Sequence, residues 1–471
     1  MGISRAWWTY AAAAAALALV VLWNWIWAVA IRGPILYGEG AVAHAAILAR
    51  TGAEYANPLF SLDADPIFTA ANYPPLYFHL VAIGEDPFVT GRVLSVVATL
   101  FVAVVIAWRA RPAGTVVAAT LALAWIASTP VMQWGAAVKP DPVALAFTVG
   151  AVIALARDRP NHALAGALIG AAVLTKPTAL IPGLALFAYV ARRDPAAAFR
   201  ALGAGAVAAT AVFLVTYRPD EAMRLHVIEW NALPWRPELL IGLAVVALLV
   251  LAVPIGTVAR TRSHGGVVGA YLAGAVGVVL LGGREGATIN YFLDLSAALA
   301  LTAAGIAPRL ALGIAYPLTS LAQLAFAAAL LNPFPNFPSL LEPTGKWGYS
   351  ERISYVRDYA AGTVLVEDSG LVVANGREPQ VDDLFLWSRL YGSGRIEGAA
   401  LLDAVRAGKF DAVVTEVDLE RFDLSPGYER QRWHPELVAA VLGRYHMPTR
   451  FEGLCRSLFV YCQRLYVYTR R

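Results

Sequence analysis

Apolar runs of helical length recur from Trp7 to Ala328, and they leave this chain few folds to choose from. A bilayer crossing takes roughly 20 such residues, fewer where a helix is buried among neighbours. Eleven runs are read, near 7–30, 88–108, 114–128, 141–156, 161–175, 178–191, 201–217, 238–258, 266–282, 287–307 and 309–331, the third to sixth of them short. Composition agrees, since a soluble chain of 471 residues is rarely 58% hydrophobic and 15% charged. The expectation is an α-helical polytopic membrane protein with about 11 transmembrane helices. The run at 7–30 is read as the first span and not as a signal peptide, because it is long, Trp-rich and followed by no convincing small-residue cleavage site.

Lys and Arg near span ends are retained on the cytoplasmic side. Arg5, Arg109 with Arg111, Arg157 with Arg159, Arg192 with Arg193 and Arg200, Arg260 with Arg262, and Arg309 fall in every second connection. This places the N-terminus inside, in the cytoplasmic (inner) membrane. Of the fifteen acidic residues before position 332, only Asp158 and Asp194 then fall in inside loops, so carboxylates collect outside. The net charge of +4 comes mostly from loop arginines and the Arg-rich C-terminal end. With no basic domain carrying interleaved aromatics, nucleic acid is not an expected partner.

An odd number of spans puts the tail outside as well. The Pro-rich stretch Asn332 to Pro338 cannot continue a helix and marks the boundary, giving a membrane domain over 1–331 and an extracytoplasmic domain over 332–471. Thr363 to Glu367 and Phe410 to Thr415 read as strands and Gly394 to Ala407 as a helical stretch, which suggests a small α/β domain with a parallel sheet. Both cysteines, Cys455 and Cys462, lie there; a disulfide on a hairpin and two buried thiols both remain open.

The chemistry is expected in the outer loops. The first, from about Ile31 to Pro87, is long enough to be functional. Residues 40–50 read as an amphipathic helix lying on the membrane, with Glu39 just before it at the positive end of the helix dipole. A carboxylate there is either a general base for an acceptor hydroxyl or a helix cap. Asp65, after Asp63 in the same loop, assists that base, binds a metal or faces water. His44 flanks the site or lies on the surface. Asn72-Tyr73-Pro74-Pro75-Leu76-Tyr77-Phe78 forms an extended aromatic turn at the interface. Lys139 with Asp141, Lys176, and Arg284 with Glu285, Asn290, Tyr291 and Asp294 converge on the same side. Ionisable groups at membrane depth are costly and face a cavity, where cations can hold a lipid phosphate. Lys176 is the most telling of them; snorkelling and pairing of Lys139 with Asp141 are the structural alternatives. Trp134, Trp230 and Trp235 either stack on a sugar or anchor at the interface. No metal-ligand motif occurs and no cofactor is required, though outer carboxylates leave divalent-cation binding open.

Taken in order, Tyr37-Gly38-Glu39-Gly40, Tyr73-Pro74-Pro75-Leu76-Tyr77, Lys139-Pro140-Asp141, Leu174-Thr175-Lys176-Pro177 and Asn290-Tyr291-Phe292 resemble the bacterial GT-C glycosyltransferases, more closely the protein-mannosyltransferase-like and dolichyl-phosphate-mannose-type branch. In the tail, Glu367-Asp368, Gly376-Arg377 and Asp382-Asp383 look like the outer domain of some members. The resemblance implies a GT-C-like fold and an inverting transferase that uses a polyprenyl-phosphate-linked sugar donor on the outer face. It implies Glu39 as catalytic base, and Lys176 and Arg284 as stabilisers of the leaving phosphate. Glu39→Gln is then expected to abolish transfer while leaving folding and lipid binding nearly intact. Some relatives carry an Asp-Glu pair in the first loop or a Lys before Pro-Pro, where this chain has Glu39 alone and Tyr73. Sugar and acceptor, whether glycan, lipid or protein, are not legible. Three other classes remain: a lipid or glycan transporter or flippase, in which internal repeats are expected and none is convincing; a non-catalytic cell-envelope assembly partner, which would tolerate loss of the Glu39 charge; and a polysaccharide polymerase or ligase, whose large outer loop lies between later spans.

Overall fold

The computed structural model describes residues 4–55, 67–216, 220–261, 266–331, 349–359, 362–422, 432–451 and 464–471. Helix α1 (Arg5–Ala30) leads into a connection that holds α2 (Glu39–Ala49) and α3 (Pro75–Ala82). There follow α4 (Pro87–Ala110), α5 (Thr115–Ile126), the short α6 (Thr129–Trp134), α7 (Asp141–Leu155), α8 (His162–Thr175), α9 (Leu180–Ala191) and α10 (Pro195–Val215). Then come the single turn α11 (Glu221–Arg224), α12 (Pro237–Thr261), α13 (Gly266–Leu280), α14 (Leu293–Gly305), α15 (Ala307–Ala311) and α16 (Ala315–Leu331). Among the described residues, the eleven hydropathy runs correspond to α1, α4, α5, α7 to α10, α12 to α14 and α16.

Among the described residues five helices, namely α1, α4, α10, α12 and α13 with the turn that extends it to Gly283, are long and apolar enough to cross a membrane. The shorter ones include α7 and α14, most of whose residues are buried inside the bundle. Helix starts are written in the sequence. Asp86 caps α4 by accepting from the N–H groups of Phe88 and Val89, with Pro87 in the first turn. Asp194 caps α10 in the same way through Ala197. Helices α8 and α10 pack backbone to backbone, since a Cβ on Gly166 would meet the Ala201 carbonyl oxygen at 1.8 Å. Small residues at such a crossing are the usual means of close packing in lipid.

Helix α2 departs from the expected surface-lying helix. Glu39 through Ala46 are all buried, between α3 and α4 on one side and the C-terminal region on the other. The physical reason is its composition: Ala, Gly and Val dominate, and no polar face exists to meet water.

The C-terminal region holds α17 (Tyr349–Tyr359), β1 (Val364–Val366), α18 (Gly370–Val373), α19 (Leu384–Gly392), α20 (Ala399–Arg406), β2 (Ala412–Thr415), α21 (Pro435–Arg444), β3 (Tyr445–Phe451) and β4 (Leu465–Arg470). The sheet order is β1-β2-β4-β3. Only β1 and β2 are parallel; β4 pairs antiparallel with both β2 and β3, so the sheet is mixed where a parallel one was expected. The crossover through α18 to α20 makes the first pair parallel, as strand-helix alternation implies. The last two strands lack that alternation and were not legible as strands. The helical stretch read at 394–407 begins later, at Ala399, after Gly394 with φ +69°.

This region does not stand apart from the bundle. Ile67, Phe68 and Trp230 share one hydrophobic core with Leu384, Trp387 and Leu390, and Phe68 bridges to Val381. The Pro-rich stretch at 332–338, Asp63, Asp65, Cys455 and Cys462 lie outside the described residues.

Candidate active site

A buried arginine organises the end of the bundle that faces the C-terminal region. Arg92, on α4, donates from Nη1 to the carbonyls of Ala28 (3.1 Å) and Ile31 (2.5 Å), and from Nη2 to the Gly33 carbonyl (2.5 Å) and Glu39 Oε2 (2.7 Å). Glu39 Oε2 also accepts from the N–H groups of Ile35 (2.7 Å) and Leu36 (3.3 Å), and Oε1 accepts from Val138 N–H (2.7 Å). Both side chains have 0% exposure. Glu39 therefore differs from its expected placement at a substrate surface. Its carboxylate holds the end of α1, the start of α2 and the 135–140 turn together, and every hydrogen bond that it accepts is internal.

The residues beside Glu39 do reach open space. A cavity of about 590 Å³ lies between the loop ends of the bundle and the C-terminal region, a volume typical of small-molecule sites. Tyr37 and Gly38 form one wall with Lys139, whose ammonium donates to the Gly38 carbonyl at 2.7 Å. Gly38 has φ +75°, and a Cβ there would stand 2.8 Å from Lys139 Nζ, so glycine is required for both backbone and space. Burial pulls the Lys139 ammonium below its usual range, and neighbouring carboxylates, Asp383 foremost, hold it up.

Lys176, Arg284, Asn290, Tyr291 and Tyr73 also line the cavity. Lys176 is tied to Asp141 (Nζ to Oδ1, 2.5 Å) and lies 5.0 Å from the centre of the Tyr291 ring. Asn290 donates to the same Asp141 oxygen at 2.8 Å, while Asp141 itself is buried behind the wall. Arg284 donates to the Asn231 carbonyl (2.8 Å) and the Tyr291 hydroxyl (2.9 Å). Neither Lys139 nor Arg284 has a carboxylate within ion-pairing distance among the described residues, although Asp383 and other carboxylates surround Lys139 at longer range. Tyr73 contributes its ring, with its carbonyl accepting from the Tyr55 hydroxyl (2.7 Å).

His44 does not flank the cavity. It is buried, and its Nδ1 lies 3.2 Å from Asp382 Oδ2, linking α2 to the C-terminal region. Of the tryptophans, Trp134 lines the cavity, Trp230 stacks on Phe68, and Trp235 donates to the Leu280 carbonyl. Asp65 is outside the described residues. Among the described residues no group of three or more His, Cys, Asp and Glu side chains is placed to hold a metal ion.

The opposite wall comes from the C-terminal region through Asp383, Phe385, Glu416 and Arg432. Arg432 pairs with Glu416 (2.5 Å) and Glu367 (2.9 Å) and stacks 3.9 Å from the centre of the Tyr37 ring. Arg352 pairs with Glu416 as well. Asp383 caps α19 through Oδ1, which accepts from Leu386 N–H (3.0 Å) and the Tyr37 hydroxyl (3.3 Å). Burial pushes its carboxyl above the usual range, offset in part by the Leu386 N–H and by Lys139. Sequence reading passed over Arg92 although an arginine inside an apolar span was a signal in itself. The tail residues Glu416 and Arg432 carried no comparable signal.

Two solved structures share this architecture. ArnT from Cupriavidus metallidurans, bound to undecaprenyl phosphate, is 15% identical, with a TM-score of 0.58 and 97% of each chain covered. The same protein in the apo state is 14% identical, with a TM-score of 0.56 over 97% of this chain and 96% of that one. No protein-family model and no curated protein matches the chain. At these identities the likeness speaks for the fold: the chain has the GT-C fold of ArnT, a helical membrane bundle with a small C-terminal sheet.

Proposed function

We propose that this protein is an integral-membrane inverting glycosyltransferase that moves a sugar from a polyprenyl-phosphate donor to an acceptor on the outer face of the cytoplasmic membrane. The observation that carries the reading is the pair Lys139 and Arg284, two cations with no carboxylate partner among the described residues, on one cavity at the loop end of the bundle. Lys139 is buried and Arg284 half-buried, and a cation that is withdrawn from water with no direct ion pair is costly to keep unless a ligand supplies an anion. A phosphate monoester or diester meets that need, and the ArnT structure of the same fold holds undecaprenyl phosphate.

In this reading the phosphate sits between Lys139 and Arg284, with Lys176 and the Tyr291 hydroxyl beside it, and the polyprenyl chain leaves between helices into the bilayer. As the bond between the anomeric carbon and the phosphate oxygen breaks, the cations stabilise the charge that develops on the leaving group. Attack from the opposite side inverts the anomeric centre. Glu39 acts by position: it holds the 135–140 turn, and hence Lys139, in place. The transferred group is a hexose or pentose, and the order of the motifs from Tyr37-Gly38-Glu39-Gly40 to Asn290-Tyr291-Phe292 supports a mannosyl-type branch. The N-terminus is cytoplasmic and the tail from 332 onward extracytoplasmic, its described residues Asp383, Phe385, Glu416 and Arg432 lining the cavity.

The test is binding of undecaprenyl phosphate to the detergent-solubilised protein, followed by native mass spectrometry. Wild type should retain the lipid; Lys139→Ala and Arg284→Ala should each weaken retention about 10- to 100-fold, the worth of one charge-assisted hydrogen bond. Equal retention of undecaprenyl phosphate and of ordinary phospholipids by all three proteins would remove the basis for the reading.

A further inference from the structure

The proposed transfer needs a group to take the acceptor's proton, and Glu39 is enclosed. Among the described residues three carboxylates line the cavity: Glu285, Asp383 and Glu416. Glu285 is engaged by Arg236 (2.9 Å) and Arg389 (3.0 Å), and Glu416 by Arg432 and Arg352. An arginine-paired carboxylate is a weak base. Asp383 has no ion pair among the described residues. Its Oδ1 is fixed by Leu386 N–H and the Tyr37 hydroxyl, while Oδ2 takes no hydrogen bond from the described residues. The capping bonds lock the rotamer, so that the second oxygen is held rigidly at the cavity wall. Lys139 lines the same cavity on the other side of the Tyr37-Gly38 turn, held to the Gly38 carbonyl, while Tyr37 holds Asp383.

We propose that Asp383, supplied by the C-terminal region, is the general base of the transfer. The inference rests on the transferase reading above. The acceptor hydroxyl oxygen attacks the anomeric carbon with a lone pair. The bond from that carbon to the phosphate oxygen breaks, and its electron pair leaves with the polyprenyl phosphate. The hydroxyl proton passes to Asp383 Oδ2, and from there to water through the cavity mouth. Burial also raises the Asp383 carboxyl above its usual range, which makes its anion a stronger acceptor of that proton. The C-terminal region is then part of the catalytic machinery: the membrane bundle supplies the cations, and the small mixed sheet, through the cap of α19, supplies the base.

The experiment uses the full chain in cells of its source from which it has been deleted, with polyprenyl-phosphate sugars quantified by mass spectrometry. Deletion should make one such lipid accumulate, and wild type should return it to its normal level. Asp383→Asn keeps an oxygen for the α19 cap and should leave the lipid accumulated, with turnover reduced roughly 10²- to 10⁴-fold. Purified Asp383→Asn should retain undecaprenyl phosphate within threefold of wild type, and Asp383→Glu should restore part of the turnover. Normal lipid levels with Asp383→Asn would overturn the base assignment and leave the transferase reading standing. Failure of the Asn variant to retain undecaprenyl phosphate would overturn it in favour of a binding role. If deletion accumulates no polyprenyl-phosphate sugar, the transferase reading falls and the base assignment with it.

Discussion

Arg92 and Glu39 form an ion pair of 2.7 Å in which neither side chain meets solvent. A pair like this is marginal as a source of stability, yet removal of one partner leaves a buried charge alone. Glu39→Gln should therefore lower stability by about 3 kcal/mol or more, on the order measured for broken buried pairs. This differs from the expectation that it spares folding. Thermal unfolding in detergent measures it, and Glu39→Gln with Arg92→Met should recover part of the loss. A variant that unfolds at the wild-type temperature would show that the pair contributes nothing.

Lys176 poses the same question at the cavity wall, because it is both lining and paired to Asp141 at 2.5 Å. Lys176→Ala should lower both the unfolding temperature and the retention of undecaprenyl phosphate. Lys176→Ala with Asp141→Ala removes the orphaned carboxylate, so stability should return while lipid retention stays weak. Recovery of both together would mean that Lys176 acts on the lipid only through Asp141.

Asp368 gives a pH dependence with a definite sign. Burial, reinforced by the nearby Glu416 charge, pushes its carboxyl from the ordinary 3.8 up to about 7. Between those values the folded chain keeps a proton that the unfolded chain has lost, so stability falls as pH rises through this window and levels off above it. The contribution lost is at most on the order of 4 kcal/mol. Asp368→Asn should flatten that slope and raise the unfolding temperature at pH 8 more than at pH 4. Unfolding scans across this range decide it; a variant with the wild-type slope would place the titrating group elsewhere.

Hydropathy made the bundle legible because each span needs its own apolar run, and α1, α4 and α12 fall within a few residues of where the runs put them. The cavity was legible in part for a related reason: Lys139, Lys176 and Arg284 are conspicuous against an apolar background. What spacing does not carry is which of two nearby charges turns inward. Glu39 and Tyr37 are two residues apart, yet Glu39 points at Arg92 and Tyr37 lines the cavity. The opposite wall was hidden for a different reason. Asp383 lies 344 positions after Glu39, and it takes tertiary contacts such as the shared core of Phe68, Trp230 and Trp387 to bring the two regions together. That core joins loops of the membrane bundle to the tail, which the sequence presents as separate units.

Tyr37 tests how tightly the two walls are joined. Its hydroxyl accepts from Phe385 N–H (2.9 Å) and donates to Asp383 Oδ1 (3.3 Å), both at the start of α19, while its ring carries Arg432 at 3.9 Å. Tyr37→Phe deletes the two hydrogen bonds, about 1 kcal/mol each, and keeps the cation-π contact. Amide hydrogen exchange over 384–392 should accelerate several-fold while β3, at the edge of the sheet, stays unchanged. Tyr37→Ala also removes the surface under Arg432, so exchange should spread to the turn that follows β2. If Phe and Ala variants exchange alike at α19 and at that turn, the hydroxyl alone joins the walls and the stacked arginine contributes nothing to their contact.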